Sequence, residues 1–455
     1  MTAAAKPEFN WEQQPAAQAV VDRLIKEAVA LSPSAEKMGK GMSEQAGTRL
    51  LDWLDHIAAP SNAVSESELK EVGFELVGQT PHGKPVYEHL GAIFPRVIVN
   101  TEALGLALKA DSVSDYLATH GIAAEIHGQP LARLRSARVD RDEKAQLWVI
   151  ERHGWTSFEP PAYDAEQALR SLDHLDSFRT RNRWHDNDVA GFEHAYQLIE
   201  RVADDLGEDW ACDLFFEAER QYWMRRNRAA RVQKARQDKL GLGWANHDHH
   251  TFRSGREAYK YLIKALELMG FFCRERFYAG AQAGWGAQVL EHKTTRITIF
   301  ADVDMSPEEV EGDFAHNGLP AAEKLGTVGL WTALHGESFL QAGLHHLECQ
   351  FDFDGLREQM KAEAGIGMMD PFSNFDHLKQ QFTEGERWAV DAGRISRLVE
   401  AGMITEDQGG QFSTQGAIGS HLENLERNNG FKGFNQTGIS HIIAKTDPRE
   451  HLAKA

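Results

Sequence analysis

Four consecutive residues, His247-Asp248-His249-His250, are the densest run of metal-capable donors in the chain, and Thr251-Phe252-Arg253 follows directly. The segment reads as a strand. Successive side chains of a regular strand point to opposite faces, so His247 and His249 are expected on one face and Asp248 and His250 on the other. Only one face can look into a pocket, and Arg253, four residues on, returns to the face of His249. Imidazole and carboxylate donors suit Fe(II), and three of them on one side leave neighbouring positions for substrate and dioxygen. A closed structural zinc site would draw on thiolates, and the three cysteines, Cys212, Cys273 and Cys349, form no CxxC pair. An arginine beside such a metal would grip a substrate carboxylate through two parallel hydrogen bonds.

The remaining ligand has to come from distant chain. Glu337, in an alternating reading of residues 330–337, is the first choice; His346 with Glu348, in His345-His346-Leu347-Glu348, alternates equally well. The pair Glu291-His292 reads as a solvated strand end. Gly280, Gly284 and Gly286 lack both the strand-to-helix context of a dinucleotide loop and a P-loop lysine. Cys273, Ser254 and Ser338 have no base at a helpful spacing, which leaves little for a nucleophilic triad.

The elements that must position these residues come twice. His56 is followed by a short helical stretch, Val72-Gly73-Phe74, a strand, a turn and further alternating chain to residue 100. His249 is followed by a helix over about 254–268, Met269-Gly270-Phe271, a strand, turn glycines and two more alternating strands. Two βαβββ-like units, each headed by a histidine, are the expectation. Between them residues 164–240 read as helices whose aromatic stripe, Trp184, Phe192 and Tyr196, then Phe215, Phe216 and Trp223, is core. The expected organisation is N-terminal helices over 1–55, a first module over 56–160, a helical insertion over 161–243, a second module with the metal motifs over 244–355, and a helical or lid-like region over 356–455.

At these residues the chain resembles the 2-oxoadipate dioxygenase/decarboxylase family, non-haem iron enzymes related to the vicinal-oxygen-chelate folds. The family's His-x-Thr-x-Arg pattern is similar to His249-His250-Thr251-Phe252-Arg253, and its Thr-Ala-Arg-Phe-Gly-Glu segment to Thr332-Ala333-Leu334-His335-Gly336-Glu337. Residues 72–78 and 83–86 resemble the strand and hairpin after the family's first histidine. The resemblance implies His56, His249 and Glu337 as metal ligands, with His89 a rival for the first position, and roles at the substrate for Thr251 and Arg253. It implies an α+β fold of βαβββ modules in a curved mixed sheet around an Fe(II) site (Mn, Zn or Ni as alternatives). The implied reaction is oxidative decarboxylation or hydroxylation of a small 2-oxo acid. The family's arginine four residues after the first histidine is Pro60 here, which implies a different organic acid, its carboxylate taken by Arg253 or Arg96. A metal-dependent lyase, isomerase or hydrolase on the same scaffold, or a non-catalytic metal-binding protein, are the alternatives.

Bulk composition agrees with a globular enzyme: 42% apolar and 26% charged residues, neither disordered nor membrane-like. A net charge of −19 repels phosphate backbones and excludes nucleic acid as the general partner. The basic run over 225–239 reads as a solvated or inter-helix face. No run reaches the roughly 18–20 apolar residues of a membrane span, and residues 1–10 show no signal pattern. The expected partners are therefore an organic acid and dioxygen, in a cytoplasmic protein compatible with a homo-oligomer.

Overall fold

The computed structural model describes residues 11–140, 144–435 and 440–452, and its strands form two curved mixed sheets in an α+β architecture. The first sheet contains β1 (Leu54–Ala59), β2 (Glu75–Gln79), β3 (Pro85–Glu88), β4 (Arg96–Val99), β5 (Leu104–Lys109), β6 (Leu134–Arg138) and β7 (Ala145–Arg152), in the order β2-β3-β4-β1-β5-β7-β6. The second contains β8 (His247–Arg253), β9 (Phe271–Tyr278), β10 (Trp285–His292), β11 (Thr298–Asp304), β12 (His346–Gln350), β13 (Ser373–Phe375), β14 (Leu378–Phe382), β15 (Glu386–Trp388) and β16 (Ala417–Arg427). Its order is β13-β14-β16-β12-β8-β11-β10-β9, with β15 on β16.

Each sheet is a pair of modules. In the first sheet β1, helix Glu66–Glu71 and β2–β4 make one βαβββ unit, with β4 returning parallel to β1. β5, helix Val113–His120, β6 and β7 make a second, one strand shorter, joined to the first by the antiparallel β1–β5 pair. In the second sheet β8, helix Tyr259–Glu267 and β9–β11 pair through β8–β12 with the unit headed by β12. Residues 356–455, expected to be helical, thus supply the fully buried β16 at the middle of the second sheet.

Between the sheets run four helices, Ala165–Thr180, Asp188–Leu206, Glu208–Arg225 and Arg228–Asp238. Asp164, Asn187 and Asn227 cap three of them by accepting from backbone N–H groups of the first turn. Phe192, Tyr196, Phe215, Phe216 and Trp223 are buried as expected, whereas Trp184 lies between helices and is 66% exposed. The stripe ends at Trp184 because the residues before Asp188 leave the helix. Gly243 joins this layer to β8 at φ 68°, where a Cβ would collide with the Asp111 carboxylate. Among the described residues no helix is long and apolar enough to cross a membrane.

His153, just past β7, ties the first sheet to helix Glu208–Arg225 by contacts of 3.1 Å to both Glu151 and Asp213. Burial alone would lower its pKa, but the two carboxylates outweigh that and raise it to about 10. The stabilisation is therefore complete below the ordinary value of 6.5 and lost as pH rises through about 10. Urea midpoints of the wild type are expected to fall across that window more steeply than those of His153→Gln; parallel curves would remove the tie.

Candidate metal centre

Three neighbouring strands of the second sheet bring one donor each to a common level. In register, Glu348 on β12 lies opposite His249 on β8 and, on its other side, beside Glu423 on β16. Donor atoms of these three all lie within 4.8 Å of one another. His346, two residues before Glu348 and hence on the same face, adds its Nε2 at 3.8 Å from Glu423 and in direct contact with Glu348. All four residues are buried, the most accessible being His346 at 7%.

A β-bulge aims the first of these donors. His249 pairs with Glu348 and His247 with Cys349, so Asp248 is an extra residue in the ladder. Bulges of this kind re-aim side chains beside active sites. Here the bulge breaks the expected alternation: His247 joins His250, ring to ring at 5.3 Å, while His249, Thr251 and Arg253 look into the pocket. It also swings Asp248 next to its own neighbour, where its Oδ1 accepts from His249 Nδ1 at 2.8 Å. Arg427 grips the same carboxylate through Nε at 2.9 Å and Nη2 at 3.0 Å. The proton is thereby held on Nδ1 and the Nε2 lone pair faces Glu348 at 3.1 Å. Asp248→Asn should weaken metal binding by about 10- to 100-fold, the usual effect of removing such an outer partner. Arg427 keeps the Phe431 and Gly433 carbonyls as acceptors, so the fold should persist. Unchanged affinity in a chelator competition would end that role for Asp248.

The donor set fits a divalent cation. Thr251 Oγ1 donates to Glu348 Oε1 at 2.9 Å and Gln380 Nε2 to Glu423 Oε1 at 2.8 Å, but Glu348 Oε2 is buried with no hydrogen-bond partner. Burial, then the charge of Glu423, pushes Glu348 well above the ordinary range, and burial, with the charge of Asp248, pushes Glu423 up to about 8 against its hydrogen bond from Gln380. Burial pushes both imidazoles down. His346 Nδ1 faces His345 Nδ1 at 2.6 Å; with His346 as donor, its Nε2 too presents a lone pair. Four electron-pair donors converge in a low-dielectric site, where only a cation or a shared proton relieves them.

The pocket over these donors is small, about 60 Å³, and walled by Phe277, Trp285, Phe300, Phe372, Phe382 and Phe434. Phe434 stands edge-on to His249 with ring centres 5.1 Å apart. Arg253 also lines the pocket, 2% exposed, with Nε and Nη1 making no hydrogen bond; Nη2 reaches Thr446 Oγ1 at 3.3 Å and Nε stands 3.8 Å from Asp302. Burial lowers the guanidinium to about 10 and raises Asp302 to about 8. A buried guanidinium with free donors is a ready carboxylate site.

No family model matches the chain, and no curated protein matches it. Among solved structures it is similar to a glyoxalase superfamily protein from Ralstonia eutropha JMP134, at 14% identity over 57% of this chain and 96% of that one, TM-score 0.33. It is similar to a mutant 4-hydroxymandelate synthase from Streptomyces coelicolor, at 13% identity over 88% and 99%, TM-score 0.28. Methylmalonyl-CoA epimerase from Mycobacterium tuberculosis matches at 10% identity over 40% and 89%, TM-score 0.23. Scores this low bring no chemistry with them, and the site stands on its own side chains.

Of the three ligands expected from the sequence, only His249 reaches this centre. Among the described residues, neither His56 nor Glu337 belongs to a cluster with it. Glu337 follows a helix, Thr327–His335, rather than lying on a strand, and its Oε1 accepts from Gly255 N at 2.8 Å beyond the end of β8. The run 330–335 is buried on nearly every side, so it carries no helical periodicity to betray it. Burial and nearby Asp188 raise Glu337 to about 8. His89 packs against Phe74 and Phe94 in the first sheet's core, and Arg96 pairs with Asp55 at 3.5 Å.

His56 occupies the matching place in the other sheet. Asp55 is again an extra residue in the ladder, its Oδ1 accepts from His56 Nδ1 at 2.6 Å, and Arg152 grips it at 2.7 and 3.0 Å. Where the second sheet carries His346, Glu348 and Glu423, the corresponding positions of the first carry Gly105, Ala107 and Trp148. The aspartate–histidine–arginine device is duplicated; the donors around it are not. Glu423 escaped the sequence reading, although His421-Leu422-Glu423 repeats His346-Leu347-Glu348 letter for letter.

Proposed function

We propose that the chain is an Fe(II)-dependent oxygenase that oxidatively decarboxylates or hydroxylates a small 2-oxo acid or related organic acid. The observation that carries this reading is a buried two-histidine, two-carboxylate cluster, His249, His346, Glu348 and Glu423, within one pocket of an under-bonded arginine, Arg253. Two imidazoles and a carboxylate suit Fe(II) with open positions, and the resemblance to the 2-oxoadipate dioxygenase/decarboxylase family supports the keto-acid class. When bound, the metal would hold the acid and dioxygen in one coordination shell. His249, His346 and Glu423 would be its ligands. Thr251 fixes the Glu348 carboxylate, Arg253 anchors the substrate carboxylate, and the six aromatic walls exclude water and strengthen each of these interactions.

A metal-dependent isomerase or lyase is the second reading, favoured by Glu348: its unpartnered oxygen could take a substrate proton. Oxygen dependence separates the two. Iron-reconstituted protein, offered a panel of 2-oxo acids, is expected to consume dioxygen and release carbon dioxide, and to stop under anaerobic conditions. Arg253→Met should raise KM for the acid by about 10- to 100-fold, the loss of a charge-assisted contact of roughly 1.5–3 kcal/mol. Full turnover without oxygen would overturn the oxygenase reading.

A further inference from the structure

A cleft of about 1130 Å³ opens between the two sheets, just above the roughly 300–1,000 Å³ usual for small-molecule sites. It adjoins the metal pocket, and Phe434 lines both. Most charges along it are neutralised in place. Arg152 and Arg427 hold Asp55 and Asp248, Asp213 meets His153, and Glu291 meets Arg274 and Lys432.

Three positive or protonatable groups are left over, each from a different element. Lys109, at the end of β5, has no acid within salt-bridge distance among the described residues; burial lowers its pKa, and Asp55, Asp52 and Asp248, which attract it from further off, are held by Arg152, Arg49 and Arg427. Arg220, on helix Glu208–Arg225, has one weak contact, 3.5 Å to His250 Nε2. His247, opening β8, leaves Nδ1 buried without a partner. His247 packs ring to ring at 5.3 Å against His250, the imidazole that Arg220 contacts, and Lys109 lines the same cleft. Asp111 and Glu217 also face Arg220, but Asp111 accepts from Trp244 N, Glu217 accepts from Arg179, and burial pushes both toward their neutral forms. Uncompensated cations under partial burial are costly, and in a chain of net charge −19 they mark a region of this cleft that invites an anion.

We propose that this cleft is a second binding site, for a phosphate-bearing small molecule held by Lys109, Arg220 and His247. An ammonium, a guanidinium and an imidazole converging from three directions suit a multiply charged tetrahedral group better than a planar carboxylate, for which one arginine fork suffices.

The test is calorimetric titration of the full-length protein with inorganic pyrophosphate, and separately with citrate. Wild type is expected to bind pyrophosphate in preference to citrate. Lys109→Met and Arg220→Met should each weaken it by about tenfold or more, while Lys293→Met, an exposed cation on the cleft rim, should not. Lys109→Met removes an unpaired, half-buried charge, so it should fold at least as well as wild type, which circular dichroism checks. Binding should persist in His249→Ala protein, where chelation at the metal centre is impaired. No pyrophosphate binding, a preference for citrate, equal affinity in Lys109→Met, or loss of binding in His249→Ala protein would each overturn the proposal.

Discussion

Protein carrying Glu423→Ala is expected to be purified with little or no metal and to lose essentially all turnover, while its far-UV spectrum stays that of the wild type. Glu423 stands on β16, the strand that pairs with both β12 and β14 in the middle of the second sheet, and its carboxylate meets Gln380 and the donor cluster. Truncation removes the carboxylate of the three proposed ligands and leaves His249 and His346, with Glu348 held by Thr251. It also removes the buried charge that pushes Glu348 up, so the apo fold should be no less stable than wild-type apoprotein. His249→Ala should behave alike in metal content. Glu337→Ala, by contrast, should retain metal, because its carboxylate serves Gly255 at the end of β8. Metal analysis of the three proteins decides the matter. Full occupancy in Glu423→Ala, or loss confined to Glu337→Ala, would move the centre elsewhere.

The second large effect is on stability. Glu219, fully buried on helix Glu208–Arg225, binds the guanidinium groups of Arg181 and Arg183, themselves 8% and 5% exposed. Each arginine also donates to a carbonyl of the segment after Glu337, Arg181 to Phe339 at 2.7 Å and Arg183 to Leu340 at 2.9 Å. One carboxylate thus fastens the helical layer to the chain that leads into β12. Removing one partner of a buried ionic set leaves uncompensated charge and costs about 3–5 kcal/mol; here two cations are stranded. Glu219→Ala should lower the urea midpoint accordingly, with Glu219→Gln recovering part of the loss through its remaining acceptor oxygen. A change under about 1 kcal/mol, the scale of an exposed pair, would show that the arginines find solvent.

Some of this could be read from the chain alone. The βαβββ units, their leading histidines and the helical layer follow from local periodicity and turn residues, which short stretches encode. The likeness between the His56 and His249 neighbourhoods was also real: the two residues hold equivalent positions, each beside a bulged aspartate gripped by an arginine from the last strand of its sheet. What the chain alone could not say is that these equivalent places lie in separate sheets and, among the described residues, form no common donor cluster. Strand pairing decides that, because β8 takes β12 as its neighbour while β1 takes β5. Likewise the repeated His-Leu-Glu becomes a site only because β12 and β16 pair in parallel, in register, setting Glu348 beside Glu423 across a distance that no sequence spacing expresses. The alternation argument at Asp248 failed for the same kind of reason. A bulge is a property of two paired strands, and one extra residue in the ladder exchanges which side chains face the pocket.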